Sequence, residues 1–150
     1  MRVMDTPSTT VGGWMQRHVH VAHPHDTIEH ARELCERHRV NQLPVVTNGK
    51  LAGIVTDRDL RDAFPSIMEE SEHPGRAHRE TAEIKVEDVM TANVLTIGED
   101  EPVERAAGIM RRERVGALPV VHGDHLIGIL TRTDLLNALV AIVTAVREKA

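Results

Sequence analysis

Two short clusters in this chain carry residues that could do chemistry. GIVTDRD, residues 53–59, brings Thr56, Arg58 and Asp59 together; GILTRTD, residues 128–134, does the same for Thr131, Arg132 and Asp134. Each Thr-x-x-Asp stands ahead of an apolar helical pattern, and that arrangement has two uses. As a helix N-cap box, the Thr side chain takes an orphan amide of the first turn and the Asp reaches back to a free N–H. As a ligand site, the unpaired amides and partial positive charge of a helix start suit a phosphate. The Thr hydroxyl adds a donor, and an Asp one turn in can accept both hydroxyls of a ribose. The glycine on the preceding strand leaves room for a flat base. Such a site would hold an adenosine nucleotide without aromatic stacking. Capping requires no particular strand upstream, yet LPVV and a Gly-Ile pair recur with the cap in both places.

Other reactive residues point elsewhere. His18, His20, His23 and His25 cluster, and alternating His18 and His20 would share one side of a strand. A zinc or nickel site is conceivable, but no Cys accompanies them and the repeat-equivalent positions Asn93, Leu95, Gly98 and Asp100 carry no such set. We read them as exposed loop histidines and expect no metal. Asp57 and Asp59 lie at the start of a helix, where alternate residues diverge, and no nucleophile or general base joins them, so no catalytic residue is assigned. The single cysteine, Cys35, falls on the apolar face of a helix and reads as a small buried hydrophobe in a reducing, cytoplasmic setting.

Composition narrows the function classes. The 150 residues carry a formal net charge of −5, so no basic nucleic-acid surface is expected. Trp14 and Phe64 are the only aromatic residues among Phe, Trp and Tyr, which argues against base-stacking platforms. The opening MRVMDTPSTT has no apolar core of a signal peptide, and the longest apolar run, 138–146, is too short to span a bilayer; no membrane association is expected.

The elements that position the clusters repeat. Residues 11–64 align with 86–139 without a gap, and about a third of the positions are identical. Val11, Met15, Leu43-Pro44-Val45-Val46, Gly53, Thr56 and Asp59 pair with Val86, Met90, Leu118-Pro119-Val120-Val121, Gly128, Thr131 and Asp134. Each unit reads as strand, helix, strand, strand, helix, an α+β pattern. A short turn of helix is expected at 11–15, and a first short strand near Val19–Val21 and near Val94–Thr96. The first helix of unit one follows Asp26, with Glu29 three residues on; in unit two Pro102 suits the first helical position. The Asn48-Gly49 pair predicts a tight hairpin, and His122-Gly123-Asp124-His125 serves the same purpose. Polar residues 65–85, with Pro65, Pro74 and Gly75, read as a linker. The last helix, about Arg132 to Lys149, covers a wide face with Leu135, Leu136, Leu139, Val140, Ile142, Val143 and Val146 and must pack on its own domain or a second subunit.

Tandem units with a V-x-x-x-M lead-in, an LPVV strand and a G-I-x-T-x-x-D turn resemble CBS domains, which pair as a Bateman module. The first unit, with NQLPVVTNGKLAGIVTDRDLRDAFPS, is most similar to stand-alone CBS-pair proteins of the acetoin-utilisation type. The resemblance assigns 11–64 to CBS domain 1, 65–85 to the linker and 86–148 to CBS domain 2 with an extended C-terminal helix. It implies two units packed sheet to sheet by pseudo-two-fold symmetry, with two clefts that bind AMP, ADP, ATP or S-adenosylmethionine as regulatory ligands and no required cofactor. Thr56, Arg58 and Asp59 match phosphate and ribose positions of one cleft; Thr131, Arg132 and Asp134 match those of the other. The adenine would rest against Val19, His20, Asn41 and Gln42 in unit one and Val94, Leu95, Gly116 and Ala117 in unit two. Asp57, beside a would-be phosphate, sets unit one apart from unit two, where Arg132 stands, so the Asp134 cleft is expected to tolerate extra phosphates better. The expected protein is a non-enzymatic sensor, homodimeric by family habit, that signals through a target protein or self-association. The rival readings are a small nucleotide-hydrolysing enzyme and an adaptor with empty clefts.

Overall fold

The computed structural model describes residues 6–64 and 83–150; the predicted linker lies outside them except for its last three residues. The chain forms two units. The central unit holds residues 20–64 and 83–94, and the composite unit holds 6–19 with 95–150. The sequence repeat and the spatial unit therefore differ: each lead-in leaves its own repeat and completes the other.

In the central unit, α1 (Ile28–His38) lays Ile28, Ala31 and Cys35 on the core. The spacing i, i+3, i+7 puts them on one helical stripe. The hairpin β1 (Gln42–Thr47) and β2 (Lys50–Thr56) supplies Leu43, Val45 and Val55; α2 (Asp57–Ala63) adds Leu60. Asn48 and Gly49 both have positive φ, 52° and 79°, which is the type I′ turn whose twist matches the flanking strands. The short helix α3 (Val86–Val89) buries Val86 completely in the same core. Its entry is tied by Val86 N–H to Asp26 O at 2.8 Å, while Ile84 O accepts the Ile28 N–H at 3.2 Å.

The composite unit is built alike. A 3-10 turn, Val11–Gly13, buries Val11 beside α4 (Val103–Glu113), whose core stripe is Ala106 and Met110. The hairpin β3 (Ala117–His122) and β4 (His125–Thr131) contributes Leu118, Val120 and Leu130. Here only the first central turn residue, Gly123, has positive φ, 64°, which is the type II′ pattern. The lead-in is fastened by Val11 N–H to Glu101 O and Gly12 N–H to Glu99 O, both 2.8 Å, and by Val103 N–H to Thr9 O at 2.9 Å. The last helix, α5, runs Arg132–Lys149. Its inner face is made by Asp134, Leu135 and Ala138, but Leu136, Leu139, Val140, Val143 and Val146 remain exposed.

Several expectations are corrected. The first strand of each unit shrinks to one parallel bridge, Ala22 with Val45 and Ile97 with Val120. A turn begins at the next residue in each case, closed by Asp26 N–H to His23 O and by Glu101 N–H to Gly98 O, and Pro24 has no N–H to extend a ladder. His18 and His20 thus lie outside any strand and do not alternate along one. The cap of α1 is Thr27, whose side chain accepts the His30 N–H at 3.1 Å; the Asp26 carboxylate instead closes a turn by accepting the His23 N–H at 2.8 Å. Pro102 occupies the cap position itself, one residue before the helix.

Candidate functional site

Both Thr-x-x-Asp clusters form capping boxes. Thr56 N–H donates to Asp59 Oδ2 at 2.9 Å, and Asp59 N–H returns to Thr56 Oγ1 at 3.1 Å. Thr131 N–H donates to Asp134 Oδ2 at 2.8 Å, and the Thr131 hydroxyl reaches the same oxygen at 3.0 Å. The first helical amides are also used: Asp57 N–H donates to Asn41 O at 2.7 Å and Arg132 N–H to Gly116 O at 3.2 Å. The bond from the helix start back to the residue two positions before LPVV draws the two parts of each predicted site together. It also engages an amide expected to be free for a phosphate.

The central unit brings Asn41, Gln42, Thr56, Arg58 and Asp59 into one neighbourhood, because Gln42 pairs with Thr56 across the hairpin. Val94 belongs to the same unit, and His20 packs flat on His38 of α1 with ring centroids 3.6 Å apart. In the composite unit Ala117 pairs with Thr131, which sets Gly116, Ala117, Thr131, Arg132 and Asp134 side by side. A methyl group added at Gly116 would lie 3.6 Å from Arg132 Cζ, so the guanidinium stands over that glycine. Val19 and the exposed Leu95 also fall in this unit.

The two carboxylates differ. Asp134 is 4% exposed and has both oxygens engaged, since Gln16 Nε2 donates to Oδ1 at 2.9 Å. Asp59 is half-buried, and among the described residues its Oδ1 accepts no hydrogen bond. Gln16 was not among the predicted site residues. Its contact spans 118 positions of sequence, and no local pattern marks it.

The strand glycines take a different role from the one expected. A Cβ at Gly53 would lie 2.7 Å from Met90 Sδ and from Thr91 O; at Gly128 it would lie 2.9 Å from Met15 Sδ and from Gln16 O. The lead-in occupies the space assigned to a base. Its backbone bonds there in both directions, Thr91 with Ile54 and Gln16 with Ile129, at 2.9–3.0 Å. One residue of each second strand is bulged out next to the glycine, opposite Val45/Val46 and Val120/Val121.

Asp57 faces Arg61 at 3.3 Å one turn on. Of the clustered histidines, His23 lies 3.5 Å from Asp26 and His25 lies 3.7 Å from Glu87. Among the described residues no three His, Cys, Asp or Glu side chains converge to hold a metal. Cys35 is buried; burial, and then the charges of Asp57 and Glu36, push its thiol up to about 11. No helix of the described residues is long and apolar enough to cross a membrane.

Comparison with known proteins agrees with this repeated architecture. The CBS domain family model matches residues 11–66 and 86–141, and the chain belongs to that family. A CBS domain-containing protein of Dictyostelium discoideum is 38% identical over 122 residues, covering 80% of this chain and 83% of that protein. Among solved structures, AcuB from Vibrio cholerae, assigned to acetoin utilization, superposes with TM-score 0.74 at 27% identity over 94% of this chain and 96% of that one. CBSX2, solved in complex with AMP, gives TM-score 0.74 at 30% identity over 90% and 99%. The CBS domain pair of protein MJ0100, in complex with 5′-methylthioadenosine and S-adenosyl-L-methionine, gives 0.71 at 30% over 89% and 97%. The chain also matches enzymes, but spans only 22% of inosine-5′-monophosphate dehydrogenase of Korarchaeum cryptofilum and 21% of homoserine O-acetyltransferase of Methanosarcina acetivorans.

Proposed function

We propose that the chain is a regulatory module that binds an adenosine ligand, AMP, ADP, ATP or S-adenosylmethionine, and passes its occupancy to a partner or to a second copy of itself. The observation that carries this reading is the near-complete match to CBS pairs solved with AMP and with S-adenosyl-L-methionine, at 30% identity in both cases. In the central unit the ligand residues are His20, Asn41, Gln42, Thr56, Arg58, Asp59 and Val94. In the composite unit they are Leu95, Gly116, Ala117, Thr131, Arg132, Asp134 and Val19. Arg58 and Arg132, both exposed, meet phosphate oxygens, and the Asp carboxylates accept ribose hydroxyls. The exposed stripe on α5, Leu136, Leu139, Val140 and Val143, supports a homodimer; its i, i+3, i+4, i+7 spacing makes one continuous apolar ridge. The buried, unpaired cysteine supports a reducing, cytoplasmic setting.

Binding becomes regulation only through differential affinity for two conformations. A thermal-shift screen against AMP, ADP, ATP and S-adenosylmethionine tests the reading. At least one ligand raises the melting temperature in a concentration-dependent way, as mass action requires. No shift with any of the four favours the adaptor with empty clefts, and steady phosphate release from ATP favours the hydrolase.

A further inference from the structure

The repeat aligns Gln16 with Thr91, and the two backbones behave alike: Gln16 bridges Ile129, and Thr91 bridges Ile54 at the equivalent place. Only the side chains diverge. Gln16 reaches Asp134 Oδ1 at 2.9 Å, completing three hydrogen bonds to a carboxylate that is almost wholly buried. Thr91 carries a short hydroxyl side chain with no amide to offer Asp59, and among the described residues Asp59 Oδ1 takes no donor.

Resting on the ligand reading above, we infer that Gln16 sets the difference between the two sites by competing with a ribose diol for Asp134. A vicinal diol can bind Asp59 by adding hydrogen bonds to an oxygen that has none from the described residues. At Asp134 it must first displace the Gln16 amide, so one charge-assisted hydrogen bond is exchanged for another with little net gain. The main chain of Gln16 stays bonded to Ile129, so only the side chain has to swing away. The central site therefore fills first, and filling the composite site releases a side chain of the N-terminal lead-in.

Calorimetric titration of the full chain with AMP tests this, in wild type, Gln16→Thr and Thr91→Gln, with 2′,3′-dideoxy-AMP as the diol-free probe. Wild type shows two unequal sites. Gln16→Thr tightens the weaker one about tenfold for AMP, the worth of one charge-assisted hydrogen bond, and leaves dideoxy-AMP unchanged. Thr91→Gln weakens the stronger site by a similar factor. Each substitution installs the residue that the other repeat carries at the same bridge, so the backbone is already suited to it. Wild-type AMP affinities in both variants, or equal tightening for the dideoxy probe, would overturn the role of Gln16 while leaving nucleotide binding intact. Absence of AMP heat from all three proteins would overturn the ligand reading together with it.

Discussion

Asp134 is a buried carboxylate held by three hydrogen bonds from uncharged donors at the positive end of an 18-residue helix. Asp59 makes the same cap with one oxygen and, among the described residues, has no counterpart to the Gln16 bond. Alanine at 134 removes an almost wholly buried carboxylate together with three hydrogen bonds, whereas alanine at 59 loses a half-buried cap. Asp134→Ala should cost about 2–3 kcal/mol and Asp59→Ala about 1 kcal/mol by urea unfolding. Equal costs would mean that the Gln16 bond adds nothing. Cys35 allows a test of pH. Its thiol is pushed up to about 11 in the folded chain from an ordinary 9.0, so folding disfavours the thiolate. The contribution is present below pH 9 and is lost as pH rises through 11, about 2–3 kcal/mol across that window. A thiol reagent at pH 8 should leave the native chain unmodified and label it fully in denaturant. The threonines and aspartates of the caps were legible in the sequence because a box is closed by residues three apart. The partner of Asp134 was not.

At the scale of elements, the hairpins and caps follow local chemistry. Asn48-Gly49 specifies a type I′ turn because both residues tolerate positive φ, and the sequence alone predicts it. Gly49→Ala, at φ 79°, should lower stability by about 1 kcal/mol. The strand glycines obey a longer-range rule. Gly53 and Gly128 admit the backbone and the methionine of a lead-in, and an added methyl would sit below 3 Å from a backbone oxygen that is already hydrogen-bonded. Gly53→Ala and Gly128→Ala should each cost about 1–3 kcal/mol in thermal or urea unfolding, from forced displacement of that segment. If the space were kept for a ligand instead, both variants would fold with wild-type stability and lose only binding. The predicted first strands failed as strands because one bridging residue is followed directly by a turn.

At the scale of the whole molecule, the exchange of lead-ins is the organising feature. Val11 and Val86 are both fully buried, each in the core of the unit that does not contain its own repeat. At roughly 1.5–3 kcal/mol for each fully buried aliphatic side chain, neither core is complete without its exchanged segment. Val11→Asp and Val86→Asp should each destabilise the chain strongly, although both lie at the margin of a domain in the sequence; circular dichroism melts would show it. The exposed ridge of α5 provides a test of assembly. Wild type should sediment as a dimer, and Leu139→Lys with Val143→Lys should sediment as a monomer with unchanged helix content. A monomeric wild type would remove the dimer from the proposed function.

The amino-acid sequence by itself determined the duplication, the two hairpins, the capped helices and the family. All of these rest on residues within a few positions of one another, or on self-similarity that needs no coordinates. Only the tertiary structure decided which repeat each lead-in completes, what fills the space above Gly53 and Gly128, and that Gln16 holds Asp134 while Thr91 leaves Asp59 open. Those outcomes depend on the packing of segments far apart in the chain. Two repeats with the same apolar pattern offer equivalent surfaces to a lead-in, so side-chain type alone does not distinguish between them.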